Sequence, residues 1–272
     1  MGQPKKNSSS PAAQYFAEVL RLVRVHAELT QDELGQRMAY SGAAVSAVET
    51  CAKPATDEFI KAAEKALDSF GIIAAAAKYL RLERYPEYFQ GFVQLEQEAL
   101  SVSSYSTQLV HGLLQTEAYT RALLKCDFPP LEDVEIEQLT LARMERKALF
   151  GRKPVCVINT ILEEDALRRR IGDKEVMRDQ YDYLIECSER PNLVIQVMPS
   201  NVGPHAGLRG PMTVIETPEQ TSLVYTEALG KSLLVSEPTE VGVLTRRYAM
   251  ISRQALRPDE SVDLIRQLAG EL

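Results

Sequence analysis

Apolar residues in the first part of the chain recur at helical spacing. Phe16, Val19, Leu20 and Val23 follow i, i+3, i+4, i+7 and predict an amphipathic helix over about 15–27. Leu34 and Met38 share the inner face of a second, short helix. Thr30 is placed to cap it, and Glu33 completes a capping box. Ser41 is a suitable N-cap for a third helix whose buried side is Val45 and Val48. Thr56 or Asp57 opens a fourth, with Ile60, Ala63 and Leu67 facing inward and Gly71 just beyond its end. Residues 15–71 therefore read as an all-α bundle of four or five helices. A polar tail, 1–14, precedes it. A linker helix over 72–90 follows, Ala-rich at first and then aromatic at Tyr79, Tyr85, Tyr88 and Phe89.

Phe92, Leu95, Ala99 and Val102 extend the helical spacing and predict a helix over 92–107. A break at His111-Gly112 separates it from helices at about 116–125 and 131–150. The period then shortens. Residues 155–161 and 193–198 are β-like, with helices over 163–170 and 176–189 between them. Short strands are expected at 212–216, 223–226 and 232–235, after a Gly/Pro-rich loop at 203–211. Closing helices fall at 241–252 and 260–269. Residues 91–272 thus predict an α+β domain, α first and then mixed.

A length of 272 residues allows two domains. The net charge of −7 does not advertise a nucleic-acid binder. The first 70 residues hold eight Lys/Arg against nine Asp/Glu, so non-specific phosphate attraction should be weak there. Cys51, Cys126, Cys156 and Cys187 form no C-x-x-C pair and fit reduced thiols in a cytoplasm. No apolar run is long enough to span a bilayer, and the start, MGQPKKNSSSPAAQ, lacks the apolar core of a secretory signal. His26, His111 and His205 lie at no ligand spacing, so no metal site and no cofactor is expected. No nucleophile elbow, zincin helix or phosphate loop occurs, so no catalytic residue is assigned. Glu163, Glu164 and Asp165 open a helix and complement its dipole, and Arg168, Arg169 and Arg170 read as a solvated face. Tyr79, Tyr85, Tyr88, Phe89, Tyr105 and Tyr119 could line a hollow between helices, although aromatic residues at helical spacing more often form core.

The stretch LTQDELGQRMAYSGAAVSAVE, residues 29–49, resembles the helix-turn-helix of Xre-type (Cro/repressor-like) regulators. The resemblance implies that its second helix enters the DNA major groove, with Gly42, Ala43, Ala44 and Ala47 at the reading positions and Ser46 beside them. None of the first four can form a side-chain hydrogen bond to a base. Gln31, Ser41, Thr50 and Lys53 occupy positions that hold phosphates in that family. Ala39 and Cys51 stand where the family usually has glycine, which predicts strain if the backbone there is left-handed.

The remainder resembles the C-terminal domain of WhiJ-like, Scr-type antitoxin-like actinobacterial regulators. The matching pieces are Leu95-Glu96 with Ala99, VHGLLQTEAY (110–119), LARMERKAL (141–149), EEDALRRRIG (163–172), VMRDQ (176–180), PNLVIQVMP (191–199), GPHAGLRGPMTVIE (203–216), LVYTE (223–227) and ALRPDESVDLIRQLA (255–269). Together the two resemblances imply a cytoplasmic, homodimeric transcriptional regulator that binds double-stranded DNA. Its α+β domain would sense a ligand or a small companion protein encoded nearby. The alternative is an antitoxin-like interaction component whose N-terminal module has lost specific DNA reading.

Overall fold

The computed structural model describes residues 10–82, 87–228 and 231–272. The chain divides near residue 85 into two compact units.

In the first unit, α1 (Pro11–His26) starts on a Ser-Pro pair. The Ser10 hydroxyl accepts the Ala13 N–H, and proline at the first helical position has no N–H to lose. Residues 11–14, expected as tail, are therefore helical, while residues 1–9 of that tail lie outside the described residues. In α2 (Gln31–Met38) the capping box forms in full, with Thr30 and Glu33 each accepting from the other's backbone N–H. Ser41 caps α3 (Gly42–Glu49), and Thr56 caps α4 (Asp57–Leu67). Next, α5 (Ile72–Leu82) corrects the linker reading. Ile73, Ala76 and Ala77 are buried with Phe16 and Leu20 of α1 and Phe59 and Ile60 of α4, so 72–82 is the fifth helix of the bundle. Its alanines gave little hydrophobic contrast in the sequence, yet their small size lets α5 nest on α1 and α4. The Tyr79 ring meets Tyr15 edge-on, with centroids 5.9 Å apart. Tyr85 and the Tyr88 side chain lie outside the described residues.

Two glycines set the approach of α2 to α3. A Cβ on Gly35 would lie 2.8 Å from the Gly42 backbone N, and one on Gly42 would lie 2.9 Å from the Asp32 Cα. The connection, Ala39 to Ser41, turns through Ala39 at φ 59°, and Cys51 follows α3 at φ 57°. Both therefore hold the left-handed backbone that their alignment to family glycines implied.

The second unit opens with α6 (Glu87–Glu98). The helix expected over 92–107 ends there, because 101–106 is a strand, β1 (Ser101–Ser106). A 3-10 turn at Gly112–Leu114 leads to α7 (Glu117–Leu124) and α8 (Asp133–Glu145), and a second 3-10 stretch, Arg146–Gly151, replaces the end of the helix read to 150. Then come β2 (Val157–Glu163), α9 (Glu164–Arg168), α10 (Lys174–Ser188), β3 (Leu193–Met198), β4 (Met212–Glu216), β5 (Ser222–Ala228), β6 (Lys231–Val235), α11 (Pro238–Gln254) and α12 (Pro258–Gly270). The strands form one mixed sheet in the order β3-β2-β1-β4-β5-β6. The first three are parallel, and β4 joins β1 antiparallel and leads on to β5 and β6.

Strand alternation sorts the core to two faces. Val102, Ile158, Leu162, Ile195, Ile215 and Tyr225 pack with α6, α10 and α12 on one face. Tyr105, Ile161, Met212, Val214 and Val224 pack with Val241 and Ile251 of α11 on the other. An all-α unit is thus followed by a six-stranded α+β unit, but one whose central strand comes early rather than after a helical half.

The left-handed Ala39 supplies a stability test. An L-residue there costs about 1–2 kcal/mol, and glycine returns part of that gain as unfolded-state entropy. Ala39→Gly should raise the unfolding free energy of the helical unit by about 0.5–1 kcal/mol in urea titrations.

Candidate functional site

The crevice with most chemistry lies at the carboxyl end of β1. Its connection leaves there toward β2 while β4 runs the opposite way on the other side, the kind of divergence that opens a crevice beyond a sheet edge. A cavity of about 580 Å³ fills it, bounded by α6, the 107–115 segment, α8, the start of β4 and the end of β5. Ligand clefts commonly span about 300–1,000 Å³.

One wall is aromatic. Phe92 and Tyr225 rings lie 4.2 Å apart at 35°, and Phe89 lies 5.1 Å from Phe92. Behind them sits a buried ion pair. Arg146 Nε and Nη2 donate to Glu96 Oε2 and Oε1 at 2.7 and 2.8 Å, and the two side chains are 4% and 1% exposed. The guanidinium also lies 5.1 Å from the Phe89 centroid, within cation–π range. Gly112 leaves room for it, since a Cβ there would come 3.0 Å from Arg146 Nη1.

The polar wall is built on Gln115, which is buried. Its amide nitrogen donates to the Val110 carbonyl at 2.7 Å, and its oxygen accepts from Thr120 at 3.2 Å and from Arg143 Nη1 at 2.7 Å. The Gln115 carbonyl is therefore aimed before Arg143 arrives, and it holds that guanidinium at the cavity. His111 lies beside both arginines. Its Nδ1 is buried and has no hydrogen-bond partner among the described residues. Burial, then the charges of Arg146 and Arg143, push the imidazole down to about 3, so the ring is neutral at physiological pH.

At the far side, the Tyr105 hydroxyl donates to the Glu163 carboxylate, and burial followed by that contact pushes the phenol up. His205 Nε2 lies 3.4 Å from the same carboxylate, and His205 Nδ1 accepts from the Gly207 N–H at 3.2 Å. That acceptor role places the ring proton on Nε2, toward Glu163. The Gly/Pro-rich 203–211 loop is thereby pinned over β1. Gly207 is required there because a Cβ would run into the Tyr105 ring. Glu164 takes the Ser200 N–H and Arg168, so it holds a β3-end turn as well as its own helix. Of the aromatic residues read as possible pocket lining, Phe89 and Tyr105 do line the cavity, while Tyr119 is fully buried core.

The positions predicted for DNA contact sit together on α2, α3 and their flanks. Ala43, Ser41, Thr50 and Lys53 are exposed, and Gly42, Ala44, Ser46, Ala47 and Gln31 are partly so. Gln31 Nε2 donates to Glu49 at 2.7 Å, and Glu49 also takes Arg24 at 2.6 and 2.9 Å. The Thr50 hydroxyl donates to the Ser46 carbonyl at 2.7 Å, and the Ser41 oxygen accepts from Ala44 N–H at 3.1 Å.

Sequence reasoning missed Glu96, His111, Gln115, Arg143 and Arg146 as one site. A signal existed: Leu95-Glu96, 110–119 and 141–149 are among the segments that carry the C-terminal resemblance, and they converge on this cavity. Among the described residues, no helix is long and apolar enough to cross a membrane, and no three His, Cys, Asp or Glu side chains gather as metal ligands.

A family model described as a domain of unknown function (DUF5753) matches residues 89–267, a span that contains every residue lining the cavity. No curated protein and no solved structure matches the chain.

Two measurements follow from the buried groups. Removing one partner of a buried ion pair strands the other charge, so Arg146→Met should cost about 3–5 kcal/mol in urea melts. The Glu96→Leu, Arg146→Met double variant should recover most of that loss. A folded-state His111 value below the ordinary one makes the unfolded chain the better proton acceptor. The stability it carries is complete above about pH 6.5 and is lost as pH falls toward 3. From pH 7 to 5 the wild type should lose about 1–2 kcal/mol more than His111→Gln.

Proposed function

The chain belongs to the DUF5753 family, and we propose that it is a DNA-binding transcriptional regulator whose DUF5753 unit senses a signal, a ligand or a small companion protein. The α2–α3 pair carries this reading. Both helices are capped at their N-termini, a three-residue connection with a left-handed Ala39 joins them, and α3 presents only small side chains. This is the form expected of an Xre-type helix-turn-helix, with α3 entering the major groove. Gln31 has a second amide hydrogen beyond the one given to Glu49, the Ser41 hydroxyl hydrogen is not consumed by its cap, and Lys53 is exposed. These three hold phosphates, whereas the Thr50 hydroxyl, placed there by the family resemblance, gives its hydrogen to the Ser46 carbonyl and would have to break that bond to join them. Gly42, Ala43, Ala44 and Ala47 contribute close approach and thymine-methyl contact, and Ser46 one hydroxyl. Selectivity then comes from DNA shape and from two half-sites met by a homodimer.

The bare face of α3 favours a second reading, an antitoxin-like interaction component with little sequence reading. A gel shift on the upstream DNA of the chain's own gene separates the two. The regulator reading expects a discrete footprint and steep loss of binding with salt. Lys53→Ala should weaken binding uniformly across sequences and lower the salt slope by about 1, and Gln31→Ala should weaken it uniformly as well. No shift at low salt would sink the regulator reading. Co-purification with the product of a neighbouring small gene would then support the second.

A further inference from the structure

The two outer edges of the six-stranded sheet are treated differently. The β3 edge is closed by its own chain. The Val197 N–H donates to Ser261 Oγ at 2.9 Å, the Val197 carbonyl accepts the Leu256 N–H at 2.8 Å, and Gln196 Nε2 donates to the Leu256 carbonyl at 2.9 Å. The connection from α11 to α12 thus stands where a further strand would pair. β6 ends the other side, and its only strand partner among the described residues is β5. It presents Leu233 and Leu234 at 57% and 44% exposure, one on each face of the sheet. An apolar edge of this kind invites a second chain unless something covers it.

We propose that β6 is an interface between two copies of this chain, which pair their β6 strands antiparallel about a two-fold axis at Leu234 and join two six-stranded sheets into one. This deepens the regulator reading: it rests on the homodimer proposed there and names the surface that makes it.

The register follows from KSLLVSE, residues 231–237. A two-fold axis normal to the sheet keeps each face on its own side, so it passes through a residue rather than between two. Centred on Leu234, it sets Leu233 opposite Val235 of the second copy and Lys231 opposite Glu237 of the second copy. Val235 is already buried in one cluster with Val241 and Ile251 of α11, so Leu233 extends an existing apolar row. Leu234 pairs with Tyr225 of β5 on the α6 side and meets its own copy across the axis. Ser232 already has an interaction within its own chain and meets only Ser236.

The charges choose between the two apolar centres. Lys231 and Glu237 are both exposed, and Glu237 keeps an extended backbone at φ −69° and ψ 122°. Its carboxylate accepts the Glu240 N–H through Oε2 at 2.8 Å, so it is fixed in place before any pairing. An axis at Leu233 would instead set Lys231 against Val235 and Ser232 against Leu234. Opposite charges at both rims fix the register at Leu234. Pro238 opens α11 and ends the pairing. Each edge is used once, so the assembly closes at two copies.

The test is sedimentation equilibrium of the full chain, for which a dimer is expected at micromolar concentration. Leu234→Lys and Leu234→Glu each set like charges against each other on the axis, and each should raise the dimer dissociation constant by about tenfold or more. Mixed one to one, the two variants should pair with each other and recover the dimer mass, because only on that axis does residue 234 face itself. Hydrogen exchange of the wild type stands even if a variant fails to fold: the β6 amides that turn away from β5 should exchange faster once dilution splits the dimer. A monomeric wild type, which leaves the edge to a strand of another protein, overturns the proposal. So do variants that dimerise as the wild type does, a mixture that fails to recover, or β6 exchange that dilution leaves unchanged. The gel shift reads separately. A footprint from a chain that dimerises elsewhere loses this inference and keeps the regulator reading, and a β6-paired dimer that shifts no DNA does the reverse.

Discussion

The Glu96–Arg146 ion pair is the contact on which the second unit's interior depends. It joins α6 to the 3-10 stretch after α8 across about fifty residues of chain, and both charges have left water. Taking two charges out of water is costly, and a bidentate geometry with a flanking aromatic ring is what offsets it. The consequence reaches past stability. Arg146 holds Phe89 and Phe92 as one wall, and its charge adds to the burial that keeps His111 neutral. A contact that contributes little net free energy thus fixes the shape of the cavity wall.

The helical unit was largely legible because its determinants are local. Thr30 with Glu33, Ser41 and Thr56 each announce a helix start within four residues, and each forms the bond its spacing implies. Where the sequence misled, the deciding partner was distant or the contrast was low. Val102 continues the spacing of Phe92, Leu95 and Ala99, so nothing nearby reveals a strand. Ser101 pairs with Val157 on one side and Glu216 on the other, and serines at 101, 103, 104 and 106 blur the alternation. The alanines of α5 hid its membership in the bundle for the same lack of contrast.

The cavity was harder to read. Arg143 and Arg146 sit three apart on a charged stretch, the usual look of a solvated helix face. Glu96 lies in another segment, and Gln115 is a polar residue that the fold buries. Only three-dimensional closure turns them into one constellation. The aromatic residues fared better in part: Phe89 and Tyr105 line the cavity, but Tyr79 belongs to the other unit and Tyr119 to the core.

The backbone-to-backbone fit of Gly35 and Gly42 also limits how this chain can change. Any side chain at position 42 must displace Asp32, and any at position 35 must push the start of α3 aside. Substitution along that helix therefore cannot begin at its first residue without moving α2. Ala43 is exposed and Ala44, Ser46 and Ala47 are partly so, and these are the positions of the helix that solvent reaches. The outer side of the helix can then vary only past its first residue, which packing has closed.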